Sequence, residues 1–183
     1  MKHTLVALME DRPGVLTRVV SLFRRRNFNI ESISVGHTET PGISRMTLVV
    51  DGSDGLVEQV TKQLYKLINV RKVSDVSDDP TVDRELALIR VSAKPATRSE
   101  IVQIADIFRA NVVDVAPSSL IVEATGPEDK IESLIKMLRG YGIKEMVRTG
   151  KVSMVRGASV VSKENGNGAS PNGQKGTGRG DVE

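Results

Sequence analysis

The residues whose types could do chemistry gather near the start of the chain, in Glu10-Asp11-Arg12-Pro13-Gly14-Val15-Leu16 and again in Asn27-Phe28-Asn29-Ile30-Glu31-Ser32. They match what a free α-amino acid needs from a protein. A carboxylate suits the unpaired N–H groups at the start of a helix, which the segment around Gly14 can supply. Glycine lets a ligand approach the backbone closely because it has no Cβ. An ammonium group needs oxygen acceptors, and Asp11 and the Asn29 side chain can offer them. An aliphatic side chain needs an apolar pocket, and Val15, Leu16, Ile30 and Ile33 could line one. The same residues also suit a plain Pro-Gly loop and a strand that begins at Asn29; on residue types alone both readings stand.

Other chemistries lack their parts. The chain has no Cys, which excludes disulfides and thiolate chemistry and fits a reducing compartment. The two histidines, His3 and His37, stand without a second ligand at metal spacing, so both read as ordinary strand or surface residues. No Gly-x-Ser-x-Gly, P-loop or Gly-x-Gly-x-x-Gly occurs, and the acidic residues are scattered through predicted loops and helix ends. Neither a catalytic constellation nor a metal site is therefore expected. A formal charge of +3 is too mild to imply nucleic acid. The run Arg24-Arg25-Arg26 closes a predicted helix, where cations complement the dipole. RNA recognition on a sheet uses stacked aromatics, and the predicted strands contain none. No apolar run is long enough to cross a bilayer, and Met-Lys-His-Thr-Leu-Val carries no apolar signal segment, so a cytoplasmic protein is expected.

The elements that must position these residues form a pattern written twice. Aromatics are few, so the core must be built from Val, Ile and Leu. Residues 4–9 are a short apolar strand. Pro13 suits the first turn of a helix, and Val15, Leu16, Val19, Val20, Leu22 and Phe23 recur at helical spacing. Asn27 tolerates the left-handed conformation that ends helices. Ile30, Ile33 and Val35 open a second strand, Pro41-Gly42 marks a turn, and residues 43–50 form a third. Ser53 and Asp54 can cap a helix with Val57, Val60, Leu64 and Leu67 on its inner stripe, and residues 70–76 are a fourth strand. Asp78-Asp79-Pro80 breaks the chain. The second copy runs from a strand at 85–93 into a helix capped by Thr97 and Glu100 with capping-box spacing. Two strands follow at 111–115 and 119–124, then a helix opened by Gly126-Pro127-Glu128-Asp129. Residues 143–155 form the last strand, bent near Gly150.

The expected fold class is α+β: two ferredoxin-like βαββαβ domains, 1–77 and 85–157, joined by a linker at 78–84. A sheet covered by helices on one face leaves the other bare, and a bare, partly apolar face or edge invites a second copy of the chain, expected through the first unit. Residues 158–183 are rich in Gly and Asn and poor in apolar side chains, too few to offset chain entropy, and read as a disordered tail.

The motif Asp-Arg-Pro-Gly-Val-Leu after a first strand resembles that of ACT domains, which sense amino acids. The longer stretch DRPGVLTRVVSLFRRRNFNIESISVGHTETPGISRMTLVV (11–50) is similar to the small, regulatory subunits of acetolactate synthase (acetohydroxyacid synthase, AHAS). IFRANVVDVAPSSLIVEATG (107–126) and MVRTGKVSMVRG (146–157) are similar to the C-terminal domain of that family. The resemblance implies a chain that is not an enzyme by itself. Its partner would be a large catalytic subunit that holds thiamine diphosphate, magnesium and FAD, with no cofactor in this chain. It implies activation of that subunit, feedback inhibition by valine, leucine or isoleucine, and a homodimer formed through the ACT domain. Carried over residue by residue, it assigns the effector site to Asp11, Gly14, Val15, Leu16, Asn29 and Ile30, shared between two chains. Position 11 is Asp where many members have Asn, and position 27 is Asn where Gly is usual. Among the alternatives is a stand-alone ACT-type sensor that regulates a different partner.

Overall fold

A computed structural model describes residues 1–157. The first unit contains β1 (Lys2–Glu10), α1 (Val15–Arg25), β2 (Ile30–His37), β3 (Ile43–Asp51), α2 (Asp54–Tyr65) and β4 (Val70–Asp75). The second contains β5 (Thr81–Ser92), α3 (Arg98–Ile107), β6 (Asn111–Ala116), β7 (Ser119–Gly126), α4 (Glu128–Leu138), β8 (Ile143–Arg148) and β9 (Val152–Val155). Each is a ferredoxin-like antiparallel sheet with two helices on one face, in the orders β2-β3-β1-β4 and β6-β7-β5-β8. The tail expected at 158–183 lies outside the described residues.

Periodicity makes the two cores. Alternation along β1 and β3 sends Leu5, Ala7, Met9, Met46, Leu48 and Val50 to the helix side, where Val19, Leu22 and Phe23 of α1 and Val57, Val60 and Leu64 of α2 meet them. Ala87, Ile89, Val91, Leu120 and Val122 do the same beneath Ile101, Ile104, Ile131, Leu134 and Leu138 in the second unit.

Both first helices end in one way. Asn27 is left-handed at φ 55°. The Asn27 and Phe28 amides donate to the Arg24 and Phe23 carbonyls at 3.2 and 3.0 Å. The Phe28 ring meets Phe23 edge-on, with centroids 6.1 Å apart. This is a Schellman closure with its hydrophobic contact, and it aims the chain into β2. In the second unit Arg109 takes the left-handed position at φ 50°. There the Arg109 and Ala110 amides donate to Asp106 and Ala105 at 3.0 and 2.8 Å.

Several expectations change. Thr97 sits at the α3 N-cap in a helical conformation (φ −105°, ψ −6°) that denies its hydroxyl the capping geometry. The hydroxyl donates instead to the Lys94 carbonyl at 3.3 Å, and Glu100 accepts from the Tyr141 hydroxyl at 2.9 Å, so the capping box does not form. Pro13 precedes the Gly14 N-cap and stands outside α1. β5 starts at Thr81, earlier than the strand expected from residue 85, because β9 continues past β8 along the same edge and gives Thr81–Arg84 their partners. The last strand does bend near Gly150: Arg148 faces Ala87 whereas Val152 faces Arg84, a slip of one residue.

The face of the first sheet expected to be bare is largely covered within the chain. Val6, Thr47 and Val49, opposite the helices, are buried. Contacts on that side come from the second unit: the Arg45 guanidinium donates to the Ser153 carbonyl at 2.7 Å, and Lys2 pairs with Glu128 at 2.8 Å. Exposed apolar side chains of the first unit include Ile33 and Val35 on β2 and Leu16 and Val20 on α1.

A side chain with a Cβ costs about 1–2 kcal/mol in the left-handed region. Part of that is offset because glycine loses about 0.5–1 kcal/mol more chain entropy on folding. Arg109→Gly is therefore expected to stabilise the protein by about 0.5–1 kcal/mol in urea unfolding. Asn27→Gly is expected to change it less, since Asn tolerates this conformation. Destabilisation by Arg109→Gly would mean that the Arg side chain contributes more than its backbone strain removes.

Candidate functional site

The segment after β1 folds into an open helix start. The Asp11 amide donates to the Gly42 carbonyl at 2.9 Å, tying the loop to the β2–β3 turn. Gly14 is the N-cap of α1 at φ 84°, and no side chain caps the helix. A Cβ at Gly14 would meet nothing within 4 Å, so glycine is set there by backbone conformation and leaves open space in front of the helix. The Val15 amide is taken by the Arg12 carbonyl at 3.3 Å, and the Arg18 amide closes the first turn on Gly14 at 3.0 Å. The Leu16 and Thr17 amides have no preceding helical carbonyl and remain available to an anion. The dipole of α1 adds partial positive charge, with no acidic residue in the first turn to offset it.

The carboxylate of Asp11 is about half exposed (46%) and lies 3.2 Å from Nδ1 of His37 at the end of β2. Arg12 turns away from the helix start toward Glu10, 3.7 Å distant. Glu10 also accepts from the Asn69 side chain at 2.9 Å, so the two carboxylates of this loop have different partners. Leu16 presents an exposed apolar side chain in the first turn of α1, 42% accessible. Val15, expected to line the pocket, is only 4% accessible and packs in the core beneath, so it supports the helix start.

Asn29 and Ile30 stand elsewhere. They follow the Schellman closure at the far end of α1, whose 11 residues span about 16 Å at 1.5 Å per residue. The Asn29 side chain is exposed and makes no hydrogen bond to another described residue. Ile30 is half-buried against the first core. Within one chain the expected site is therefore in two halves: Asp11, Gly14 and Leu16 at the start of α1, and Asn29 and Ile30 beyond its end. Both halves border β2, whose outer edge has no strand partner among the described residues.

Two features had no part in the sequence-based reading. His37 looked like an ordinary surface residue, and its approach to Asp11 depends on strand register. A polar cleft of about 550 Å³ also opens between the units, lined by Lys2, Glu31, Glu85, Glu128, Arg148 and Lys151 among others. Its charges pair internally. Lys2 donates to Glu128 and thereby holds that carboxyl below the usual carboxylate range. Arg148 donates to Glu85 at 2.6 Å and also to Glu132. Among the described residues, no group of three or more His, Cys, Asp or Glu side chains is placed to hold a metal ion. No helix among them is long and apolar enough to cross a membrane.

Comparison with known proteins agrees with this architecture. Residues 5–72 match the family described as the AHAS small subunit-like ACT domain, and residues 84–157 match the small subunit of acetolactate synthase. A probable acetolactate synthase small subunit of Archaeoglobus fulgidus is 59% identical over 157 residues, covering 86% of this chain and 98% of that protein. The acetolactate synthase small subunit of Mycobacterium bovis is 54% identical over 155 residues, covering 85% and 92%. The crystal structure of an acetolactate synthase small subunit from Thermotoga maritima superposes with a TM-score of 0.79 at 42% identity, covering 85% of this chain and 98% of that one. With both units matched and their connectivity preserved, the chain belongs to the acetolactate synthase small-subunit family, the non-catalytic regulatory partners of a thiamine-diphosphate-dependent transferase.

Proposed function

We propose that this protein binds a branched-chain amino acid between two of its own protomers and in that state restrains an acetolactate synthase catalytic subunit that it otherwise activates. The observation that carries the reading is the division of the site. An uncapped helix start and the Asp11 carboxylate lie at one end of α1, and Asn29, unpaired among the described residues, lies at the other.

A two-fold dimer joined through antiparallel β2 edges would unite the halves. In that pairing, Ile30 of one strand lies near His37 of the other, and His37 is beside Asp11. The partner's Asn29 then stands opposite the Gly14 loop. The exposed Leu16, Val20, Ile33 and Val35 would be covered by the same association. The effector's carboxylate would accept from the first-turn amides of α1, and its ammonium would donate to Asp11 and to the Asn29 amide oxygen. Its branched side chain would lie against Leu16 and Ile30. Thiamine diphosphate, magnesium and FAD would belong to the catalytic subunit, and this chain would supply regulation alone.

An effector shifts a conformational equilibrium only by its difference in affinity for the two states. Coupling of about 1–3 kcal/mol, or roughly 5–150-fold, is the usual scale. A ligand held by both protomers senses their relative position directly.

Gly14→Asp sets a strained residue and a negative charge where the effector's carboxylate would lie, and Asn29→Ala removes an acceptor from the other half. Each is expected to abolish valine inhibition of the reconstituted complex while its activity without valine is kept; normal inhibition in both variants would refute the site. Val35→Lys places a charge on the dimer edge, and sedimentation should then report a monomer that gives no heat with valine; a stable dimer would refute the β2 seam. The Archaeoglobus relative is matched over 98% of its length by 157 residues, so ending this chain after Gly157 should leave activation and feedback intact, as read by acetolactate formation with and without valine. Loss of either would assign a role to the remainder of the chain.

A further inference from the structure

The bend in the last strand of the second unit rests directly on β2. Past Arg148 one extra residue pushes the segment Thr149-Gly150-Lys151 out of the sheet. A Cβ at Gly150 would fall 2.2 Å from the Ile33 carbonyl oxygen, 2.6 Å from its carbon and 3.1 Å from Ser32 Oγ. The first two are backbone atoms of a strand and cannot swing aside, so glycine is required here for close approach. The next amide, that of Lys151, donates to Ser32 Oγ at 3.0 Å. Flanking ties hold the same junction: Lys2 reaches Glu128 at 2.8 Å and Glu31 at 3.9 Å, and Arg45 donates to the Ser153 carbonyl at 2.7 Å. The residues gripped, Glu31 to Ile33, follow Asn29 and Ile30 in the chain with no residue between.

We propose that the Thr149–Lys151 bulge is the element through which the second unit reads effector occupancy at β2. This rests on the effector site proposed above and adds the route of its regulation. Strand backbone pressed on a glycine backbone has no soft side chain between the two units to absorb displacement. Packed backbone of this kind moves as a unit. When the start of β2 is drawn toward a ligand, Ser32 and Ile33 carry Gly150 with them, and the bulge passes the movement into β8, β9 and β5. The test separates binding from transmission.

The test measures Gly150→Ala and Ser32→Ala beside the wild-type chain. Valine affinity is read by calorimetry on the regulatory dimer, and inhibition is read in the complex with the catalytic subunit. Gly150→Ala forces the units apart, and Ser32→Ala deletes one hydrogen bond at an otherwise unchanged junction, so it serves if the first variant fails to fold. The expected result is valine affinity within about threefold of wild type in both variants. The half-inhibiting valine concentration should rise at least about tenfold for Gly150→Ala and about threefold for Ser32→Ala, which is loss of coupling at retained binding. Folded variants inhibited at the wild-type valine concentration would overturn the proposal. So would loss of binding in Ser32→Ala, which would make the bulge part of the pocket. Absence of valine, leucine or isoleucine binding to the wild-type dimer would instead locate the failure in the effector site itself, and the proposal would fall with it.

Discussion

Helix α1 is short enough to pack on one sheet and too long for a single amino acid to touch both its ends. Its first turn offers free amides behind a left-handed glycine, and its last turn delivers the chain to Asn29 and Ile30. About 16 Å of helix separates the two. A branched-chain amino acid is a few ångströms long, so a site that uses both ends needs two helices in antiparallel relation. β2 provides the means for that relation. It is an edge strand with no strand partner on its outer side among the described residues, and its exposed apolar side chains lie near those of α1. On the proposed site, dimerisation and ligand binding would be one geometric requirement, and a ligand so held would sense the relation between protomers.

The two units show how one supersecondary pattern can be put to different uses. Both close their first helix with the same pair of Schellman hydrogen bonds before an edge strand. In the first unit the left-handed residue is Asn27, a type suited to that conformation; in the second it is Arg109, which is not. The first unit opens its helix with an uncapped glycine and leaves room for a ligand. The second opens α3 at Thr97, follows it with Arg98, and ties the Arg98 guanidinium to the Ala116 and Pro117 carbonyls at 2.9 Å, closing the corresponding end. The second unit also meets the far face of the first sheet, through Ser153 and Glu128.

Much of this was legible in the sequence where local chemistry decides. Apolar spacing gave both helix pairs. The asparagine at position 27 takes the left-handed conformation that its type suits, and the last strand bends near Gly150 as its glycine suggests. What was not legible depends on tertiary register. Val15 suits both a pocket after Gly14 and the apolar stripe of α1, and only its packing in the first core decides for the stripe. His37 is brought to Asp11 by the pairing of β2 with β3. The Thr97–Glu100 spacing suits a capping box, but the helical conformation at Thr97 and the pull of Tyr141 on Glu100 dissolve it. The face expected to be bare is covered by residues more than a hundred positions away, a contact that no local pattern encodes.

The central claim is that each site takes one half from each protomer, and complementation between two defective chains tests it most directly. Gly14→Asp and Asn29→Ala dimers, each unable to bind, are dissociated, mixed in equal amounts and allowed to reassociate. In a mixed dimer one site receives both defects and the other receives intact Gly14 and intact Asn29. Calorimetry on the mixture should then recover valine binding at about a quarter of the wild-type number of sites, with wild-type affinity. A mixture of fully exchanged dimers as silent toward valine as its parents would contradict the account, since a site contained within one chain cannot be rescued by its neighbour.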